Sequence, residues 1–543
     1  MLAFTFQPVQ LAPGQSVSLS FAFGFCDSAN DVRAIVEELR ATGAARLWRS
    51  SADRRERDVL RVHFNASMPF AAAIEREAVW RSHNVLSWAT WRGDWNRTAL
   101  TQGSAYLYLH GADGVPRDQS LFALTALFQR PDVVRSTIEL LLETQAQVDG
   151  AMTYAWGDFA LRSDALGLHA WPCDLDVFVL WAVSEYVGVT GDVAWLGRLL
   201  PRLRAAAAHL INAVGVGPHG LLRVGDGDWD DGVVVGLANP VSIALTIARG
   251  ESIPTTAMAC VVLPKFARLV QRLDAVLAAQ LQTFVRPFAA ALRSTAFYNG
   301  TFARLWAFDG FGRPLLVGNG TLELQSIVWP LLAPDNLLLT RGEKVALIDA
   351  TLATLSSDIG PLLAETETNR QVWPAVSQLF VAGVASVAER AHLALPLLAQ
   401  HLYATHARVF PTSWIGVLGG PDGFDAVTGG TWASVVTPMT DWPTANSNPD
   451  AMFLFGCLRI IGIQGTDTGF AVDASRLALE QLPVLVESPL LTVAINATSV
   501  EIVYVSQNSG SVLVTVTPFG ASRSQTKRLT FAGAGETHRW VVS

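Results

Sequence analysis

Residues 224–236 read VGDGDWDDGVVVG, so that four aspartates, Asp226, Asp228, Asp230 and Asp231, fall within six positions around Trp229. In a chain of which 16% is charged, such crowding needs a reason. Three chemistries suit it: a calcium loop, a solvated turn, or a carboxylic acid held ready to give up a proton. Asp226, Asp228 and Asp230 match positions one, three and five of an EF-hand loop. Such a loop needs glycine at position six and glutamate at twelve, where this chain has Asp231 and Leu237. The calcium reading therefore fails at the two positions that set the geometry. Crowded carboxylates cannot all ionise, so one keeps its proton towards neutrality. A general acid for a glycosidic oxygen needs that property.

Other polar residues gather near predicted helix starts. They are Arg117 and Asp118 in GVPRDQS, Asp174 and Asp176 in WPCDLDV, Glu251 in ARGESIP, Glu323 and Gln325 in TLELQSIVWP, and Glu365 and Glu367 in AETETNRQVW. Each also has a plainer reading. Asp174 suits a helix cap, Glu251 a surface pair with Arg249, Asp118 an ion pair with Arg117, and Glu365 and Glu367 a solvated loop. Trp171, Trp329 and Trp373 suit a core. If helical hairpins form a barrel, alternate connections converge at one end and line a cavity with carboxylates and tryptophans. Sugars suit such a cavity, because aromatic faces pack on pyranose C–H groups and acids accept from hydroxyls.

The elements that must position these residues follow from periodicity. Residues 1–25 alternate as strands, forming a partial β segment, and 26–69 carry linker helices with the charged stretch RSSADRRERD. From 70 to 484 one helical pattern follows another, as in PDVVRSTIELLLETQAQV, DLDVFVLWAVSEYVGVTGD and LDAVLAAQLQTFVRPFAAALRS. Several begin with Asp or Pro in the first turn. Residues 485–543 turn β-branched and alternating, a C-terminal β domain. No repeat of 20–50 residues is visible, which disfavours a solenoid.

The segment GDGDWDDG resembles the G-x-GDWNDG motif of glycoside hydrolase family 94, the cellobiose/chitobiose phosphorylase family of the six-hairpin glycosidase superfamily. Other segments agree in order. GVPRDQSLFALTALFQRPDVVRSTIELLLETQAQVDG is similar to the family's G-x-RD-x-x-QD helix pair. CDLDVFVLWAVSEYVGVTGD is similar to its SDD-LLW…Y…TGD helix, ARGESIPTTAM loosely to GES-x-W, and LELQSIVWPLLA to IDSI-x-QSW. The similarity covers roughly residues 70–470. It implies a mainly α fold, an (α/α)6 six-hairpin barrel with flanking β-sandwich segments, and inverting chemistry at a β-glycosidic bond. The matching acid is Asp231, with Asp230 and Asp228 expected to raise its pKa. Asp118 would hydrogen-bond the non-reducing-end sugar, and Asp176 and Trp229 would line its subsite. Arg117, Asp228, Glu251 and Gln325 complete the expected substrate-binding set.

The chain also departs from that family, which holds phosphate with two arginines, a histidine and a Thr-Gly loop. Arg117 is kept, but SAYLYLHGADGVP has no arginine, and ETETNRQVW stands where the histidine would fall. VTGGTW is a remnant of the Thr-Gly loop, and Arg370 is the one nearby cation able to restore the site. A dianion beside Glu365 and Glu367 would be repelled. The expectation is hydrolysis by water, with Glu365 or Glu367 as base. The alternatives are a β-glycoside phosphorylase using inorganic phosphate as co-substrate, and an inactive carbohydrate-binding relic. An α/α-barrel lyase would want His and Tyr together, and none of the seven tyrosines is placed so.

Composition narrows the partners. The formal net charge is −8 with no basic run, which argues against nucleic acid. The four cysteines form no CxxC pair, so neither a zinc site nor a disulfide framework is expected, and no metal or organic cofactor is called for. No stretch of about 18 uninterrupted apolar residues spans a membrane. Residues 1–17 lack a signal-peptide pattern, while sequons at Asn65, Asn96, Asn299, Asn319 and Asn496 lean towards a secreted or lumenal product. The expected partner is an oligosaccharide or disaccharide.

Overall fold

The computed structural model describes residues 10–18, 28–103, 112–157, 172–237, 239–365, 370–431 and 446–543. The chain divides into two units, Met1–Asp58 and Val59–Ser543. In the first, helices Ala29–Thr42 and Ala44–Asp58 pack on each other, the former capped by Ser28, which accepts from the Asp31 amide. Neither buries a residue. Most of the β segment expected over 1–25 lies outside the described residues, and 10–18 hold only a turn at Pro13-Gly14.

The second unit is built on six helices: Pro116–Ala126, Leu175–Thr190, Ile253–Val270, Leu324–Leu332, Pro374–Ala385 and Ser447–Ile461. Each packs on the next, and the last returns to the first. Leu175–Thr190 and Pro374–Ala385 are buried along their whole length. Buried all round, they show no solvent-facing stripe and can exist only inside a body. Six further helices lie against them: Ala71–Ser87, Pro131–Glu143, Val193–His209, Ala275–Val285, Arg341–Thr354 and Ala394–Gln400. These are one-sided. Val193–His209 buries Trp195, Leu196, Leu203, Ala206 and Ala207 and leaves its other face outward. Inner and outer helices thus alternate along the chain.

The TGD element closes one such hairpin. Thr190 donates to the Tyr186 carbonyl at 2.8 Å, Gly191 ends the inner helix at φ 68°, and Asp192 accepts from the Trp195 amide at 3.0 Å to cap the outer helix. Its role is a turn between helices.

The two largest sheets of this unit lie beside the helices. One orders strands Arg61–His63, Val484–Glu487, Leu491–Ile495, Val500–Val505 and Thr537–Val542. The other orders Ile463–Gly465, Gly469–Asp473, Gly510–Thr517 and Gln525–Phe531. Tyr504 of the first stacks between Phe470 and Phe531 of the second, with centroids 5.7 and 5.4 Å away, so the sheets face each other across an aromatic layer. The Tyr504 hydroxyl donates to the Val189 carbonyl at 3.0 Å and ties this β part to an inner helix. The strands at 463–473 fall in the stretch read as helical body, and Arg61–His63 in the stretch read as linker.

One further helix expectation is corrected. Residues 273–294, read as a single helix, form Ala275–Val285 and Phe288–Thr295, because Pro287 lacks the amide that would continue the ladder. Two stretches, Ile253–Val270 and Ala275–Thr295, are long and apolar enough to cross a membrane by length and composition. The first is 72% buried as an inner helix, and the second is this broken pair packed upon it. Cys173, Cys260 and Cys457 are buried free thiols, as small apolar residues would be. Cys26 lies outside the described residues.

Candidate active site

The N-terminal ends of the inner helices carry the polar residues singled out above, and several meet. Arg117, in the first turn of Pro116–Ala126 and 3% exposed, forks onto Asp174 through Nε at 2.9 Å and Nη2 at 3.0 Å. Its Nη1 reaches Asp231 Oδ1 at 3.1 Å, and Nη2 also donates to the Asp228 carbonyl at 2.9 Å. The Tyr154 hydroxyl donates to the other Asp231 oxygen at 2.8 Å. Asp231 therefore receives a cation on one oxygen and a phenol on the other, while its side chain stays 16% exposed.

The remaining aspartates go elsewhere. Asp228 is 1% exposed and takes both forks of Arg304, at 2.8 and 2.6 Å, plus the Ser252 hydroxyl at 2.6 Å. Burial pushes its carboxyl up, but Arg304 outweighs burial and holds it below the usual range. Asp228 and Asp230 also make consecutive Asx turns, accepting from the Asp230 amide at 3.1 Å and the Gly232 amide at 3.0 Å. Asp230 is raised, first by burial and then by Asp228 and Asp231 against the opposing pull of Arg304. Asp231 thus acts electrostatically on Asp230, while Arg304 takes up Asp228 and Arg117 bonds to Asp231.

The proton-holding group is Glu323, just before the inner helix Leu324–Leu332. Burial, with Asp230 adding to it and Arg304 opposing, pushes its carboxyl up to about 7. Asp118 is likewise pushed up to about 7, by burial and then by the Asp422 carboxylate, with Arg117 and Asn448 opposing. It does not pair with Arg117. It accepts from Gln102 Nε2 and from Asn448 Nδ2 at 2.9 Å, and the same Asn448 nitrogen donates to Asp422 at 3.0 Å. Asp174 is no side-chain cap but the partner of Arg117, its carboxyl pushed up to about 6 by burial against that arginine. Trp229 meets Phe178 edge to face at 5.4 Å. Under it, a void of about 10 Å³ is lined by Gln325, Asp174, Asp228 and Trp329. Gln325 Nε2 has no hydrogen-bond partner among the described residues.

Three expected site residues do other work. Asp176 accepts from His209 Nδ1 at 2.7 Å, which ties the inner helix to the outer Val193–His209. Burial lowers the His209 pKa, but the bond to Asp176 outweighs it and the net shift is upward. Glu251 does not pair with Arg249. Fully buried, it accepts from the His219 and Leu221 amides, both at 3.0 Å, and from His219 Nδ1 at 2.5 Å. The His219 ring in turn stacks on Trp306 at 3.9 Å. Glu365 is exposed, and its Oε2 accepts from the Leu322 amide at 3.1 Å, pinning the strand-like entry to Glu323. Glu367, Asn369 and Trp171 lie outside the described residues.

Arg370 pairs with Asp425, its Nε at 3.2 Å and Nη2 at 2.5 Å. Asp425 also accepts from the Val427 and Thr428 amides, at 2.8 and 2.9 Å. The backbone donors of the Thr-Gly remnant are thereby used within its own turn. Sequence reasoning missed Arg304, Tyr154, Asn448 and Asp422. Arg304 sits in the unremarkable TFARLWAFDG, and no local signal marks it.

No family model matches the chain, and no curated protein matches it. Among solved structures it is similar to the GH78 family rhamnosidase of a Bacillus species, with TM-score 0.45 and 13% identity over 72% of this chain and 35% of that one. A rhamnosidase from Klebsiella oxytoca gives TM-score 0.41 and 12% identity over 63% of this chain and 56% of that one. The GH63 mannosylglycerate hydrolase from Thermus thermophilus gives 0.47 and 15% over 68% and 98%. The chain thus spans about a third and about half of the two rhamnosidases. The families printed for two of these neighbours, 78 and 63, differ from 94, and at these scores nothing below rests on the likeness.

Proposed function

We propose that this chain is a carbohydrate-active enzyme that hydrolyses a glycosidic bond with inversion, on an (α/α)6 framework, with Asp231 and Glu323 as its carboxyl pair. The supporting observation is the contrast between the two. Asp231 accepts from the Arg117 guanidinium on one oxygen and from the Tyr154 hydroxyl on the other, and burial pushes the Glu323 carboxyl up to about 7. Asp230 couples electrostatically to both, raising Glu323 and itself raised by Asp231. The closed succession of inner helices brings these ends together.

Glu323 is the acid in this reading. It gives its proton to the glycosidic oxygen as the C–O bond breaks. Asp231 takes a proton from water, whose oxygen bonds to the anomeric carbon on the opposite face, inverting the configuration. Asp118, Trp229 and Gln325 supply the sugar contacts. Water is favoured over phosphate because Arg117 and Arg304 each spend their donors on buried carboxylates. A dianion needs donors left over to offset its desolvation.

A second assignment is favoured by the motif, which gives the acid role to Asp231. Leaving-group chemistry separates the two. With a sugar bearing a good leaving group, such as a nitrophenolate or fluoride, proton donation matters little. Glu323→Gln is then expected to recover near wild-type rates and Asp231→Asn is not. Recovery by Asp231→Asn instead would exchange the roles, and near-normal rates in both variants on all substrates would sink the pair.

A further inference from the structure

The C-terminal halves of the same inner helices surround a second hollow. A cavity of about 480 Å³ lies between Trp181, Lys265, Trp329, Phe455 and Arg459, with Lys344 and Arg341 on one wall. Ligand sites commonly occupy about 300–1,000 Å³. Its floor is aromatic. Trp181 meets Trp329 at 5.1 Å and 76° and Phe455 at 6.0 Å and 88°, so rings present edges and faces in turn.

The walls are polar but electrically settled. Lys265 and Arg459 share Glu185, at 2.8 and 3.0 Å, and also donate to the Gly465 and Ile463 carbonyls at 2.7 and 2.8 Å. Lys344 pairs with Asp335 at 2.9 Å and donates to the Ala333 carbonyl at an inner helix end. Arg341 lies between Asp335 at 3.3 Å and Glu389 at 2.8 Å. Helix C-termini add partial negative charge that offsets the cations. A free anion gains little from such walls. A ring with apolar faces and many hydroxyls can meet the aromatic floor and bond to the charged edges without burying a net charge.

We propose that this cavity, which shares Trp329 with the small void beside Asp174 and Asp228, is a second binding site that takes a neutral sugar of one or two rings. The inference does not depend on the hydrolytic reading, because its test measures binding and not turnover.

The test is calorimetric titration of the full chain with glucose, mannose, rhamnose and cellobiose, and with glucuronate as the charged control. Ser386 lines the cavity without belonging to the carboxyl cluster, and Ser386→Trp would fill it. At least one neutral sugar is expected to bind, with Kd raised about tenfold or more by Ser386→Trp. Arg341→Ala, a milder change at a side chain 40% exposed, should also weaken binding and guards against a misfolded tryptophan variant. Asp231→Asn should leave this binding in place. The proposal is overturned if no neutral sugar binds, or if glucuronate binds more tightly than its neutral counterpart. Binding that is unchanged in both cavity variants, or abolished by Asp231→Asn, overturns it equally.

Discussion

The two ends of the inner helices treat charge in opposite ways. At the N-terminal end, carboxylates outnumber the arginines that hold them, and the acids left over, Glu323 and Asp118, keep protons to about pH 7. At the C-terminal end the cations are paired with carboxylates, and several also donate to backbone carbonyls. Helix polarity accounts for the direction of this division, since N-termini favour anions and C-termini cations. The reactive chemistry belongs at the end where acids are in excess. The balanced end is suited to holding a ligand without transforming it.

The largest expected break in that contrast comes from the carboxyl pair. Asp231→Asn and Glu323→Gln should each lower kcat on an unactivated glycoside by about 10²–10⁴-fold, with unfolding midpoints close to the parent. Steady-state rates on a panel of α- and β-linked disaccharides check this, and the anomeric form of the first product, read by NMR, checks inversion.

Removing an arginine should cost stability at one end and little at the other. Arg304→Met strands the buried carboxylate of Asp228, a loss of about 3–5 kcal/mol. Arg341→Ala breaks a half-exposed pair and should stay within about 1 kcal/mol. Urea unfolding of both variants tests the asymmetry, and equal losses would remove the distinction between the ends.

The pH dependence follows from Glu323. Its folded pKa of about 7 lies above its ordinary 4.5. The stability it contributes is therefore fully present below 4.5 and lost as pH rises through 7. As the acid, it also makes kcat/KM fall with rising pH above about 7. Glu323→Gln should abolish its share of the stability slope. A rate that climbs through about pH 8 would remove Glu323 from the acid role.

The smallest effect should be that of phosphate. Rates with and without it should agree at matched ionic strength, because the site arginines are already engaged. Sugar 1-phosphate among the products would show that one of them is released to the dianion.

Much of the helical body is legible from periodicity, and the reason is visible in its outer layer. Val193–His209 and Pro131–Glu143 show one buried face, so spacing reveals them. Pro374–Ala385 and Leu175–Thr190, buried all round, show no polar face, and the latter is marked instead by its aspartate start and the TGD that ends it. The aspartate cluster is legible as unusual. Its electrostatics are not, since Arg304 and Tyr154 reach it from 76 and 77 residues away in the chain. Glu251, in a segment that resembles a substrate-binding motif, anchors His219 instead.

By itself the sequence determined which residues are able to do chemistry: acids at helix starts, a tryptophan among them, proline and aspartate at the first turns. These are local properties of side chains and spacing. The tertiary structure decided which of those acids are charged. Whether a carboxyl keeps its proton depends on burial and on the nearest cation, and both are set by contacts between distant segments. That is why Asp228, Asp231 and Glu323, similar in the sequence, meet such different surroundings in the folded chain.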